Sequence, residues 1–446
     1  MKKYFRFALM FASAMAISLS FVACGSDDDD VTDVKTKVEQ QNEAITEITD
    51  EYLDDVVYPT YKNLANETAN LYNLISALKV KVKAGTPVTD ADIAAICKSY
   101  KDARLYWEES EAFLYGAASD FEIDPHIDTW PLDVPTLAAD LKDDAKIAKL
   151  DAVNGVEWAR TEGNLTPENL GFHGIEFIFF RNGENRPTSF FNNNATEDYD
   201  GFSGLDVTAK EEVIFAAAIA GDLRDKCYQL EVAWLGTKAS AEHIARVTAC
   251  GFETKTKLGL YYGEDLLAAG KSNSTQRSKK AVMETILVSG CSNICAEVAD
   301  QKMGQAYRAA TSSTTTYHEE EDENGNIIKV EDDPNYIESP YSYNSFTDFY
   351  GNIRSIRNSL YGNTGTDKKY DNESVMAYLN KYDASRANEL DNRLWKALDA
   401  LQACLDKGKA GAFVNNPGAS YVKTAMDAIT SLDDYLNETS EWILKN

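Results

Sequence analysis

The chain has 446 residues, with 44 Lys and Arg against 72 Asp and Glu, for a formal net charge of −28. So acidic a surface repels phosphate backbones, which argues against nucleic acid as a partner, and it raises the local concentration of cations. The length exceeds one comfortable hydrophobic core, and 44% hydrophobic residues supply enough apolar surface for two domains.

Lys2, Lys3 and Arg6 precede an apolar run, Phe7 to Val22, too short and wrongly flanked for a membrane span. That is the layout of a secretory signal. The run ends Phe21-Val22-Ala23-Cys24, which resembles a lipobox, where cleavage leaves a cysteine that then carries acyl chains. On this reading residues 1–23 are a lipoprotein signal peptide and Cys24 is the lipid anchor. What remains holds 41 basic and 72 acidic residues, near −31. Gly25-Ser26 and the run Asp27 to Asp30 make an acidic tether over 24–32, similar to the export tags of surface lipoproteins. No other apolar run approaches the ~20 residues of a spanning helix. The expectation is a protein lipid-anchored at the outer membrane, on its periplasmic or cell-surface side. Six further cysteines (Cys97, Cys227, Cys250, Cys291, Cys295 and Cys404) are too few for a disulfide scaffold in so long a chain and are expected to be buried thiols, with a local Cys291–Cys295 bridge left open.

Helical periodicity dominates the rest of the chain. Val31 to Val57 carries apolar residues at three- and four-residue spacing; Pro59 is expected to interrupt it, and Tyr61 to Val82 to resume. After the turn Gly85-Thr86-Pro87, Thr89 or Asp90 caps a helix expected to reach about Ala117. Asp120 to Pro135, with three prolines, cannot be one regular helix. Thr166-Pro167-Glu168 reads as a helix start running to Arg181, and Thr208-Ala209-Lys210-Glu211 as a capping box opening a helix toward Leu235. Further helices are expected at 240–269, 275–310, 345–361, 371–407 and 418–444, with a polar loop or small insertion over about 311–343. The fold class is all-α. About ten helices should form two tandem antiparallel bundles, over 33–236 and 237–446.

There is no H-E-x-x-H, no G-x-S-x-G and no phosphate-binding glycine loop, so no catalytic residue is assigned. A metal site using imidazole must draw on His126, His173, His243 or His318. The sharpest local feature is Gly171-Phe172-His173-Gly174-Ile175-Glu176. Three residues apart on one helix, His173 and Glu176 can face one point, and the glycines permit close approach. The surroundings are apolar, and a buried carboxylate must be paired or metal-bound. A core histidine bonded to Glu176 meets the same pattern.

This stretch resembles the Gly-x-His-x-x-Glu motif of the imelysin family and of related periplasmic iron-uptake lipoproteins, with Gly174 where alanine is more usual. Ala103 to Phe113, Ile127 to Asp133, and the segments Ser342 to Phe349 and Asn352 to Ile356 are similar to further family segments, in family order. The resemblance implies two helical bundles with the motif near their junction. It also implies a metal site in which Glu111 and Asp128 join His173 and Glu176, with Arg104, Trp130 and Gly171 supporting them. Taken alone, Glu111 also reads as a solvated helix charge and Asp128 as a turn aspartate. The mixed nitrogen–oxygen set suits a metal ion, iron favoured. The implied function is metal capture for iron uptake, with the membrane and transporter components as partners. The alternatives are a metallopeptidase, after the family's name, and a structural or partner-binding lipoprotein whose His–Glu pair braces the fold.

Overall fold

Thr36 and Glu39 begin the first helix reciprocally. The Thr36 hydroxyl accepts the Glu39 N–H at 3.3 Å, and the Glu39 carboxylate takes the Thr36 N–H at 2.7 Å. The computed structural model describes residues 36–321 and 325–446; the signal peptide, Cys24 and the acidic tether lie outside the described residues. From Thr36 the helix Lys37–Glu51 continues through a π-helical stretch, Tyr52–Val57, into Tyr58–Ala84. Pro59 therefore does not interrupt it. It comes just after a widened turn that has already left the usual hydrogen-bond ladder, so its missing N–H costs little.

The Thr89–Asp92 box opens Asp90–Glu108, which ends there and turns through a 3-10 segment, Glu111–Phe113, instead of reaching Ala117. Asp120 to Pro135 is irregular, as expected, with only single turns such as Asp124–Ile127. The Thr208–Glu211 box opens Ala209–Leu235, a helix buried along most of its length. It packs on Tyr58–Ala84, while Ala241–Cys250 and Tyr262–Leu267 pack on its other faces. These last two replace the single helix expected over 240–269, parted where Gly251 turns left-handed at φ +70°.

In the second half Lys279–Thr311 is unbroken over 33 residues, with π-helical stretches at Thr285–Ser292 and Glu297–Lys302. It is the one described helix long and apolar enough by composition to cross a membrane, which the run-length reading overlooked. Its apolar stripe, including Ile286, Cys291, Cys295 and Val298, is buried, and it packs against Ser420–Lys445. Ser345–Tyr361 and Ser420–Lys445 fall where expected; the helix read over 371–407 divides at Asp383, whose carboxylate caps Ala384–Leu405. The polar stretch 311–343 contains an antiparallel hairpin, Tyr317–Glu321 with Ile327–Glu331, and then an irregular strap over 332–343. Among the described residues the fold is all-α apart from this hairpin and a two-residue pairing at Phe180–Arg181 with Glu184–Asn185. None of the six cysteines after Cys24 is bridged. Helices of the first and second halves of the chain pack together where Asp90–Glu108 meets Ser345–Tyr361 and Glu111–Phe113 meets Thr285–Ser292.

Candidate metal centre

The helix Asp90–Glu108 buries a stripe at three- and four-residue spacing: Ile93, Ile96, Tyr100, Arg104, Trp107, Glu108. It thus carries a guanidinium and a carboxylate into the interior. Arg104 gathers carboxylates from three other segments. Nη1 donates to Asp128 Oδ1, while Nη2 reaches Glu338 Oε1 at 2.5 Å and, one turn along its own helix, Glu108 Oε1 at 2.6 Å. Asp348 Oδ2 lies 3.8 Å from Nε, and the guanidinium rests on the Phe172 ring, 5.1 Å from its centroid. All of these groups are buried, so each ion pair is felt at low dielectric.

The motif helix is Gly171–Phe179. The start read at Thr166 is only a 3-10 turn, Pro167–Asn169; Leu170 is extended, and the chain restarts at Gly171 with φ +57°. A Cβ on Gly171 would stand 1.9 Å from the Ile127 carbonyl oxygen, so glycine alone allows the motif helix to seat against the Asp128 loop. That seating brings His173 Nε2 to 2.9 Å from Asp128 Oδ1, while Trp107 Nε1 donates to Oδ2 at 2.7 Å. The Trp130 ring lies 5.9 Å from the His173 ring, tilted across it. Burial pushes the Asp128 carboxyl up, but Arg104 and His173 outweigh it and hold it well below the usual carboxylate range.

Glu176 is held by the strap over 332–343. Its Oε1 accepts the Tyr341 N–H at 3.1 Å, the Ser342 N–H at 2.7 Å and the Ser342 hydroxyl at 2.6 Å, so the strap clamps it, and burial raises its pKa. Glu111 is buried, not solvated, and lies with Glu108. In each of two sets the ligand-capable atoms all lie within 4.8 Å of one another: Asp128, His173 and Glu338, and Glu108, Glu111 and Asp128. Asp128 belongs to both.

Lys302 comes from the second half of the chain, its Nζ 3.1 Å from Glu338 Oε1 and 3.5 Å from Glu111 Oε1. Arg104 and Lys302 therefore face Glu108, Glu111, Asp128, Glu338 and Asp348, with Glu297 and Asp124 close by. Burial pushes Asp124 up to about 8 and Glu297 and Asp348 up to about 7, and it holds Glu108 and Glu111 well above their ordinary value. Glu111 Oε2 and Glu338 Oε2 receive no hydrogen bond among the described residues.

Glu338 and Lys302 were not singled out from sequence. Lys302 had a signal, because it continues the buried stripe Cys291, Cys295, Val298 at helical spacing. Glu338 had none, because it sits in an irregular strap with no periodicity. The remaining histidines bind carboxylates elsewhere: His126 meets Asp222 at 2.6 Å, His243 meets Glu231, and His318 meets Asp332 at 3.0 Å and Glu320 at 2.7 Å.

The sequence model of the imelysin family matches residues 57–436. Iron-regulated protein A of Synechococcus elongatus is 31% identical over 129 residues, which spans 29% of this chain and only 30% of that relative's length. A crystal structure assigned as an iron-regulated protein A precursor from Parabacteroides distasonis has a TM-score of 0.68 at 22% identity, covering 92% of this chain and 96% of that one. An imelysin-like protein from Psychrobacter arcticum has a TM-score of 0.53 at 12% identity, covering 88% and 93%. At these identities the two structures speak for the shared fold.

Proposed function

The chain belongs to the imelysin family, and from that premise we propose that it is an extracytoplasmic lipoprotein that binds a metal cation, iron by preference, through Asp128, His173 and Glu338 in the service of iron uptake. The observation that carries the reading is the buried surplus of carboxylates over Arg104 and Lys302, with the Oε2 atoms of Glu111 and Glu338 unpaired. Burying carboxylates without counter-charge costs several kcal/mol each, so the chamber holds either protons or a cation. One imidazole nitrogen with carboxylate oxygens is a donor set that suits iron, manganese or zinc. The choice of iron leans on the name of the Synechococcus relative. Glu111 is an outlying ligand in this reading, and Glu176 fixes the strap that carries Glu338. Cys24 keeps its place as the lipid anchor at the outer membrane, which would present the site to iron-uptake transporter components.

A bound cation would supply the positive charge the chamber lacks. The chain's own residues would do the rest: Arg104 and Trp107 orient Asp128, and Trp130 covers His173. The peptidase reading is less well supported. One oxygen of Glu176, the base it would use, is clamped by residues 341 and 342, and Asp128, His173 and Glu338 are all buried from a peptide.

The test is metal content and calorimetry of the purified full chain with Fe(II) under anaerobic conditions. His173→Ala should weaken binding at least about 100-fold. Equal uptake by wild type and His173→Ala would sink the site. A lowered melting temperature with unchanged metal content would leave His173 a brace.

A further inference from the structure

The carboxylate-only half of the chamber already contains a cation, and that cation belongs to the chain. Lys302 ends the π-helical stretch Glu297–Lys302 and is fully buried. Its Nζ lies 3.1 Å from Glu338 Oε1, 3.5 Å from Glu111 Oε1, and 3.9 Å from both Glu108 Oε2 and Glu297 Oε1. The Trp130 ring faces it with its centroid 5.0 Å away. An ammonium brings three donors, yet only the Glu338 contact has an ordinary hydrogen-bond length. Three carboxylates surround it at distances that a point charge tolerates and a brace does not. Meanwhile Glu111 Oε2 and Glu338 Oε2, both buried, receive no donor from it or from any other described residue.

We infer that Lys302 is a tethered stand-in for a second cation, holding Glu108, Glu111 and Glu338 in place for a hard, oxygen-seeking ion and limiting the chamber to a single metal on the His173 side. The first metal rests on the reading above; the Lys302 half stands on its own geometry. Two features give the lysine this role. Glu338 is a member of the His173 group and also the shortest partner of Lys302, so any metal taking Glu338 competes with the ammonium for it. Asp128 links the two groups, so the Glu108–Glu111 set is poised to share a ligand with the first ion once the ammonium is gone. A flexible four-carbon stem lets the ammonium withdraw where a guanidinium fork would not. Lys302 is thus a specificity-determining residue. It sets how many ions enter and which carboxylates they reach.

The experiment counts Mn(II) bound to the purified full chain by calorimetry and by electron paramagnetic resonance. Lys302→Met should raise the stoichiometry from one ion to two, or tighten a single site at least about tenfold by removing a like charge. Lys302→Arg, which keeps the charge, should stay at one ion. Lys302→Met with Glu111→Gln removes a charge of each sign and should return to one. Where Lys302→Met folds only with a cation, Mn(II) added during refolding should restore the native circular dichroism spectrum, and failure to restore it overturns the inference. So does a Lys302→Met protein that binds one ion no more tightly than wild type, or a Lys302→Arg protein that binds two. If wild type binds no Mn(II) while Lys302→Met binds one, the reading at His173 falls and this one stands. If neither binds, both fall.

Discussion

Two buried ion networks lie at opposite ends of the motif helix, and they differ in their arithmetic. Beyond its C-terminus, Arg181 and Arg186 serve Glu197 and Glu212. Arg181 Nη2 reaches Glu197 Oε2 at 2.6 Å, and Arg186 Nη1 reaches Glu197 Oε2 at 3.0 Å and Glu212 Oε2 at 2.6 Å. Two guanidiniums answer two carboxylates, and the leftover donors go to backbone carbonyls such as that of Phe180 at 2.8 Å. At the N-terminal end, Arg104 and Lys302 answer at least five carboxylates, Glu108, Glu111, Asp128, Glu338 and Asp348. A network with a guanidinium for each carboxylate needs no cation to be complete as a strut, a single proton adjusting it. One with carboxylates in large excess must take up several protons or a cation, and that makes it a site.

Removing the shared donor is the harshest way to separate the two. Arg104→Met leaves Asp128, Glu338 and Glu108 buried without their guanidinium and should cost about 3–5 kcal/mol in urea unfolding of the metal-free protein. Added Mn(II) should recover part of that loss. Arg186→Met should cost less, about 2 kcal/mol, because Glu212 already holds a proton and Glu197 keeps Arg181, and Mn(II) should recover none of it. Equal Mn(II) response in the two variants would erase the distinction.

Gly171→Ala strikes the hinge between the networks. The left-handed φ of +57° and the Ile127 carbonyl 1.9 Å from the new methyl should together cost about 3 kcal/mol. The backbone shift needed to relieve the clash moves Asp128 away from His173, so Fe(II) affinity should fall as well. Unchanged affinity in a destabilised Gly171→Ala protein would mean that the Asp128–His173 contact does not bind the metal.

What could be read from sequence was whatever is local. The boxes at Thr89–Asp92 and Thr208–Glu211 satisfy their own helix ends, so four residues suffice to place them. Pro59 misled because a π-helical turn is a property of packing, not of composition. The Thr166 start misled because Gly171 answers to Ile127, some forty residues away in sequence. The same limit applied to the site. His173 stood out by its spacing to Glu176 and Asp128 was reached through family resemblance, whereas Glu338 is defined only by Arg104 and Lys302, from two distant helices. Glu176 was read as facing the point that His173 faces because helical spacing implies it; the strap at Tyr341 and Ser342 supplies donors that spacing cannot foretell.

The mildest test concerns the balanced network, where one proton does the adjusting. Burial pushes Glu212 from an ordinary 4.5 up to about 8, while Arg186 and Arg181 more than offset burial at Glu197 and hold it below its ordinary value. The folded protein therefore keeps a proton on Glu212 that the unfolded chain has released. The stability this contributes is complete below about pH 4.5 and is lost as pH rises through about 8. Glutamine holds the neutral shape at every pH. Glu212→Gln should match wild type to within about 0.5–1 kcal/mol at pH 5, and its advantage should grow by about 2 kcal/mol by pH 7, with no dependence on Mn(II). The shared background, including the carboxylates around Arg104, cancels in the difference between the two proteins. A variant destabilised equally at both pH values would mean that Glu212 is ionised throughout, and the C-terminal network would then be held by a full ion pair to Arg186 and not by a proton.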